Sequence, residues 1–165
     1  MTNKHFVKTF TLLCVGFLVS IGLASNHWLT SAHDGDEEAV MKVLMLEGKS
    51  IETGDLETLN KIWSNDDSVL IFESGGMDKG WKNYRDHHLA PELKAFKNTK
   101  FTVSDANVKV DGKTAWATYK YALSADYKDR KIESNGLGTM IFEKQKGDKW
   151  LIVHSHTSAS RKKSK

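Results

Sequence analysis

Residues 101–127 read FTVSDANVKVDGKTAWATYKYALSADY, and this stretch decides the fold. From Phe101 to Val110, and again from Thr114 to Tyr127, β-branched and aromatic side chains alternate with polar ones, which is the period of a half-buried strand. Between them Asp111-Gly112 is a hairpin signal, because tight turns of the favoured hand need a positive φ that glycine adopts without steric cost. Two more segments of the same kind follow, Ile132–Glu143 and, past a turn at Gly147-Asp148, Trp150–Thr157. The second half of the chain therefore reads as an antiparallel meander.

Upstream the period is helical. Val40, Val43, Leu44 and Ile51 recur at helical spacing and predict a helix over about 36–52, with Asp34, Asp36, Glu37 and Glu38 placing negative charge near its start. Gly54 fits a stop just past the helix, and Asp55 fits the N-cap of a second helix carrying Leu56, Leu59, Ile62 and Trp63. Ser64 to Asp67 is a turn, and Ser68 to Glu73 a short apolar strand closed by Gly75-Gly76. A third helix opens near Gly80 with Trp81, Tyr84 and His88 on one face. Pro91 lacks the N–H a helix interior needs, so this helix breaks near Ala90 and Pro91 opens a short turn, Glu92 to Phe96. Helices followed by a meander define an α+β layer fold.

A chain of 165 residues with 39% apolar content has the length and the core material of one domain. Lys4 and Lys8 precede an apolar run, Phe10 to Leu23, with Gly22 and Ala24 as small residues before a cleavage point. Residues 1–24 read as a signal peptide, with Thr30-Ser31-Ala32 as a second cleavage point that would extend it to 32. The run is shorter than the ~20 residues of a spanning helix, so a cleaved leader is favoured and the protein is expected to be periplasmic or secreted. Contact with the membrane is expected only through the leader, as an anchor if it is retained. Residues 25–36 read as a linker, 37–158 as the domain and 159–165 as a basic tail.

The net charge of +3 comes from the leader and this tail; no basic stripe runs along a folded element, so a nucleic-acid partner is not expected. The single cysteine, Cys14, lies inside the leader. A mature chain would have no disulfide, thiolate metal ligand or cysteine nucleophile. Leu12-Leu13 ahead of Cys14 also lack the small residue expected before a lipid-modified cysteine.

The order of elements resembles the NTF2-like superfamily, in particular its SnoaL-like and DUF4440-type exported bacterial members. The resemblance rests on Gly54-Asp55-Leu56 leading to Trp63, on Gly80-Trp81 through Tyr84-Arg85-Asp86-His87-His88-Leu89-Ala90-Pro91-Glu92-Leu93, and on Trp150 to Ser158. It spans about Glu37 to Ser158. It implies an α+β cone, in which N-terminal helices pack on a strongly curved antiparallel or mixed sheet that leaves a pocket at its open end. It also implies homodimers formed through the open sheet face. Members include isomerases, cyclases, dehydratases and non-catalytic binding or assembly modules, so the fold alone does not choose a function.

Histidines are the residues whose chemistry stands out. His154 and His156 are two apart on a predicted strand, so they share a face with each other and with Trp150 and Ile152, the side expected to line the pocket. Imidazoles there can ligate a metal, move protons near neutral pH or bond a polar ligand; alternatively one is a hydrogen-bonded core histidine and the other lies at the solvent edge. His88 shares the Trp81–Tyr84 face, whereas His87 points about 100° away. Glu92 would meet His88 if the helix continued past Pro91, or it is an ordinary first-turn acid. Glu73 ends an apolar strand at the expected pocket mouth, and Tyr84, Tyr119 and Tyr121 either present hydroxyls to the pocket or pack in the core.

A site of His88, His154 and His156, completed by Glu73 or Glu92, would suit a divalent transition metal such as zinc or copper. The readings are then a pocket that binds a small molecule or metal ion through histidines, an acid–base enzyme of the isomerase or hydrolase kind using His154, His156 or Glu73, or a non-catalytic dimerisation module.

Overall fold

The structure, a computed structural model, describes residues 24–160, with side chains from Asp34 onward. The leader through residue 23 and the end of the basic tail from residue 161 lie outside the described residues.

Helix α1 spans Ala24–Thr53 and so begins well before the expected start near Asp36. The stretch read as a linker has no proline and one glycine, Gly35, so nothing in it stops a helix. Asp36 consequently does not cap. It sits in the body of α1 and takes Lys144 Nζ at 2.8 Å and Trp150 Nε1 at 3.2 Å, which pins the helix to the far end of the sheet. The buried stripe of α1 is Val40, Leu44, Glu47 and Ser50. Gly48 lets α1 close on the sheet, since a Cβ there would stand 3.1 Å from Val103 Cγ2.

The next turns match the sequence reading. Gly54 ends α1 with φ +71, and Asp55 caps α2 (Leu56–Ile62) by accepting Thr58 N–H at 2.9 Å. β1 (Leu70–Glu73) turns at Ser74-Gly75 into β2 (Gly76–Lys79). β2 was not expected, because Gly76-Met77-Asp78-Lys79 is mostly exposed and has no apolar alternation to announce it. α3 (Trp81–Tyr84) then runs through one π-helical turn, Arg85–Leu89, into α4 (Ala90–Ala95). The break expected at Ala90 is thus a widened turn. Ala90 N–H reaches back to Arg85 O, and Pro91 sits in the first turn of α4, where its missing N–H costs least.

The meander is β3 (Lys97–Asp111), β4 (Thr114–Tyr127), β5 (Arg130–Lys144) and β6 (Trp150–Ala159). The strand order is β2-β1-β6-β5-β4-β3. β1 pairs parallel with β6 and the other neighbours are antiparallel, so the sheet is mixed. The helices lie on its concave face over a core that includes Leu44, Leu59, Trp81, Phe142 and Ile152. This is the cone expected from the sequence.

Candidate functional site

The register of β6 decides which side chains look into the cone. His154 pairs with Ile141 and Ile152 with Phe142, so Val153 is an extra residue with no partner on β5. This β-bulge reverses the alternation. Trp150 and Ile152 point into the core, and beyond the bulge the inward residues are Ser155 and Thr157. His154 and His156 therefore lie on the convex face. There both rings pack edge-on against Phe72 of β1, with centroids 5.2 and 5.7 Å away. The expectation that they share the face of Trp150 and Ile152 assumed an unbroken period of two, and the bulge removes that assumption.

On the concave side the open end of the cone holds a cavity of about 260 Å³. Its wall is aromatic and aliphatic, with Trp63, Trp81, Phe101, Tyr119 and Tyr121 among its residues, and its polar groups include the carboxyls of Glu47, Glu73 and Glu92 and the hydroxyls of Ser134, Ser155 and Thr157. Glu47 is the least expected of these. It stands on the buried stripe of α1 and is 7% exposed. Among the described residues no group donates a hydrogen bond to its carboxyl. Burial, and then the nearby Glu73 carboxylate, push its pKa up to about 8, so at neutral pH it holds its proton.

Glu73 joins the cavity to a polar cluster at its rim. The Tyr84 hydroxyl donates to Glu73 Oε2 at 2.8 Å. Burial and the same carboxylate hold the Tyr84 phenol well above its ordinary range, so it remains a donor. The π turn sets His88 beside three acids: Nδ1 is 3.1 Å from Asp78 Oδ2, while Nε2 is 3.9 Å from Glu73 and 3.7 Å from Glu92. Burial alone would lower the His88 pKa, but the Asp78 hydrogen bond and the Glu73 and Glu92 carboxylates outweigh it and raise the value. Glu92 is raised by its burial and by Glu73. Tyr119 is raised by burial and by Glu47, against a lowering hydrogen bond with Ser155. Trp63 stacks on Trp81 with centroids 4.8 Å apart, and its Nε1 is buried without a partner among the described residues.

The residues singled out in the sequence divide accordingly. Glu73, Trp81, Tyr84, Glu92, Tyr119 and Tyr121 line the cavity. His88 stands at its rim, and Ile152 is wholly buried in the core beneath it. His87 is turned away, its Nδ1 on the Asn83 carbonyl. His154 and His156 are on the opposite face of the sheet from the cavity, so the proposed metal set of His88, His154 and His156 does not converge. Among the described residues no group of three or more His, Cys, Asp or Glu side chains is arranged to hold a metal ion. Apolar periodicity does not single out Glu47, although its signal is in the sequence: it is three residues after Leu44 and seven after Val40, an acid on an otherwise apolar helical stripe.

A mixed six-stranded sheet curved around N-terminal helices, with its cavity at the open end, is the NTF2-like architecture. The family model for the SnoaL-like domain matches residues 40–161, and the chain belongs to that family. None of the curated proteins matches it. Among solved structures it is similar to an NTF2-like superfamily protein of Salmonella enterica serovar Typhimurium, at 17% identity and TM-score 0.72 over 79% of this chain and 95% of the other. A candidate dehydratase of the NTF2-like family from Streptomyces avermitilis gives 22% identity and TM-score 0.69, over 78% and 99% of the two chains. The CaMKII hub of S. rosetta gives 23% and 0.59, over 75% and 96%. At these identities the likeness is one of fold.

Proposed function

We propose that the cone binds a small, mostly apolar molecule and exchanges a proton with it through Glu47. The observation that carries this reading is a carboxyl facing a cavity on a residue only 7% exposed, accepting no hydrogen bond among the described residues, with its pKa raised by burial and by Glu73 to about 8. Such a group costs folding stability, and its displaced pKa lies near neutral pH, where general acids and bases work best. Glu73 and the Tyr84 hydroxyl form the second pole, and Tyr119 with Ser155 supplies further hydroxyls. Two carboxyls in different surroundings can donate and accept the same proton in one turnover, which suits an isomerisation or a loss of water. The histidine pair on the convex face has no part in it.

The test is a fragment screen by amide NMR on the wild-type protein, Glu47→Gln and His154→Ala. Ligands are expected to shift resonances around Glu47, Tyr119 and Ser155, with affinity changed by Glu47→Gln and unaltered by His154→Ala. Hits that map instead to Phe72, His154 and His156 would refute the reading.

The convex face supports a second copy of this chain as its occupant. Trp116, Ile141, His154 and Leu70 form one cross-strand row, and Thr118, Thr139, His156 and Phe72 the next. Trp116 and Leu137 are 42% and 60% exposed there, two large apolar side chains that a second copy would cover. Export is the matching proposal for location: the leader supports it, and no described helix is long and apolar enough to cross a membrane. N-terminal sequencing of the periplasmic fraction, expected to begin at residue 25 or 33, tests it; a protein that keeps Met1 in the cytoplasm would refute it.

A further inference from the structure

The charge of the cavity narrows its ligand. Three carboxylic acids line it, Glu47, Glu73 and Glu92, and no lysine or arginine does among the described residues. His88 lies between Glu73 and Glu92 at the rim and offsets part of their charge. Glu47, 7% exposed, has no counterion and no hydrogen-bond donor among the described residues. A buried carboxyl is normally paired, so this one is short of a cation. The wall around it includes Trp63, Phe101, Tyr119 and Tyr121, and aromatic faces attract a cation through their ring quadrupoles, most strongly where water is excluded. The volume sets the size of the body that carries it. Cavities of about 150 Å³ take benzene, so about 260 Å³ admits one ring with a short side chain.

We infer that the ligand of this cavity is an organic ammonium ion, a primary or secondary amine on a ring-sized apolar body, with its nitrogen seated on Glu47. The inference rests on the cavity being the binding site, as proposed above, and adds the chemical class of what binds. An entering ammonium ion stabilises the Glu47 carboxylate, so the neutral acid gives its proton to the solvent as the ion pair forms, and in the proton exchange proposed above Glu47 is then the base. Charge and atoms balance: carboxylic acid plus ammonium ion become an ammonium carboxylate pair and one released proton. Glu73 and Tyr84 are left to orient the remainder of the ligand. A metal ion would need a convergent ligand set, which the described residues do not contain, whereas an ammonium nitrogen needs only one or two oxygens.

The experiment compares three probes of similar shape: 2-phenylethylammonium, 2-phenylethanol and 3-phenylpropanoate. Each is titrated into the purified protein near pH 7 by calorimetry, in two buffers of different ionisation enthalpy, and located by amide NMR. The expected result is an affinity for the amine at least about tenfold above that for the alcohol, a gap of the size an enclosed cation–aromatic contact supplies. The propanoate should bind weakest. Binding of the amine should release about one proton, as linkage requires of a group whose pKa falls on binding. In Glu47→Gln, which keeps the shape of the protonated acid, the amine should lose its advantage over the alcohol. Equal binding of alcohol and amine by the wild-type protein, or an amine preference that survives Glu47→Gln, would overturn the ammonium inference and leave the cavity reading standing. If no probe shifts the resonances around Glu47 and Tyr119, both fall. The wild-type comparison stands without the variant.

Discussion

Tyr119 lies flat across Gly138. The two are cross-strand partners on β4 and β5, and a Cβ built on Gly138 would fall 2.3 Å from Tyr119 Cζ, with the hydroxyl oxygen only 2.7 Å away. The inner wall of the cavity has this ring in place because the opposite residue has no side chain. Gly138→Ala must displace the ring or bend the strand, and overpacking of this kind costs roughly 1–3 kcal/mol. Urea denaturation should show that loss together with weaker binding of any cavity ligand. A variant as stable as wild type that binds ligand normally would mean that Tyr119 does not shape the cavity.

Stability should fall as pH rises through neutrality. Glu47 has its pKa raised from 4.5 to about 8. Below 4.5 both folded and unfolded states hold the proton; between 4.5 and about 8 only the folded state does, so each step up in pH favours unfolding. The full span corresponds to at most about 5 kcal/mol. His88, whose pKa is raised above 6.5, acts in the same direction: its contribution is present below 6.5 and is lost as pH rises through the folded value. Melting temperatures between pH 5 and pH 9 should decline for wild type and decline much less for Glu47→Gln, which should be the more stable of the two at high pH. Parallel curves would show that Glu47 is not held neutral by the fold.

Tyr84→Phe removes the donor to Glu73 and leaves the ring packing untouched. Hydrogen bonds to charged groups are worth roughly 1.5–3 kcal/mol when enclosed; with Glu73 about a third exposed at its side chain, about 1 kcal/mol is expected. The measurement is again denaturant unfolding, with a cavity-ligand titration beside it, in which affinity should drop. Unchanged affinity would take Tyr84 out of the site.

On the convex face Trp116→Glu should convert a dimer to monomers, read by light scattering, with the far-ultraviolet spectrum unchanged. A wild-type protein that is monomeric at high concentration would dispose of the pairing.

The parts of the fold that the sequence reveals are those set by local rules. Asp55 caps α2 because its carboxylate reaches Thr58 N–H three residues on, a contact that depends on no distant residue. The long strands β3 to β6 are legible because their faces differ in polarity. Val153 is different in kind: nothing in Trp150–Thr157 marks it as the unpaired residue, since a bulge is defined by the strand opposite, and one slip moved both histidines to the other side of the sheet. The rim was half legible. His88 and Glu92 meet because a π turn carries the helix past Pro91, a detail of backbone winding rather than of composition. Glu47 is legible too, as an acid on the otherwise apolar stripe of Val40 and Leu44, although apolar periodicity alone does not single it out. An acid at a core position of an amphipathic helix is the stronger signal of function, since it opposes the burial that forms the helix face.

The protonation of Glu47 is read most directly from its carboxyl carbon shift, followed by NMR as pH is raised and assigned by its absence in Glu47→Gln. A titration midpoint near 8 is expected. A midpoint near 4.5, the ordinary value for a glutamate, would contradict it.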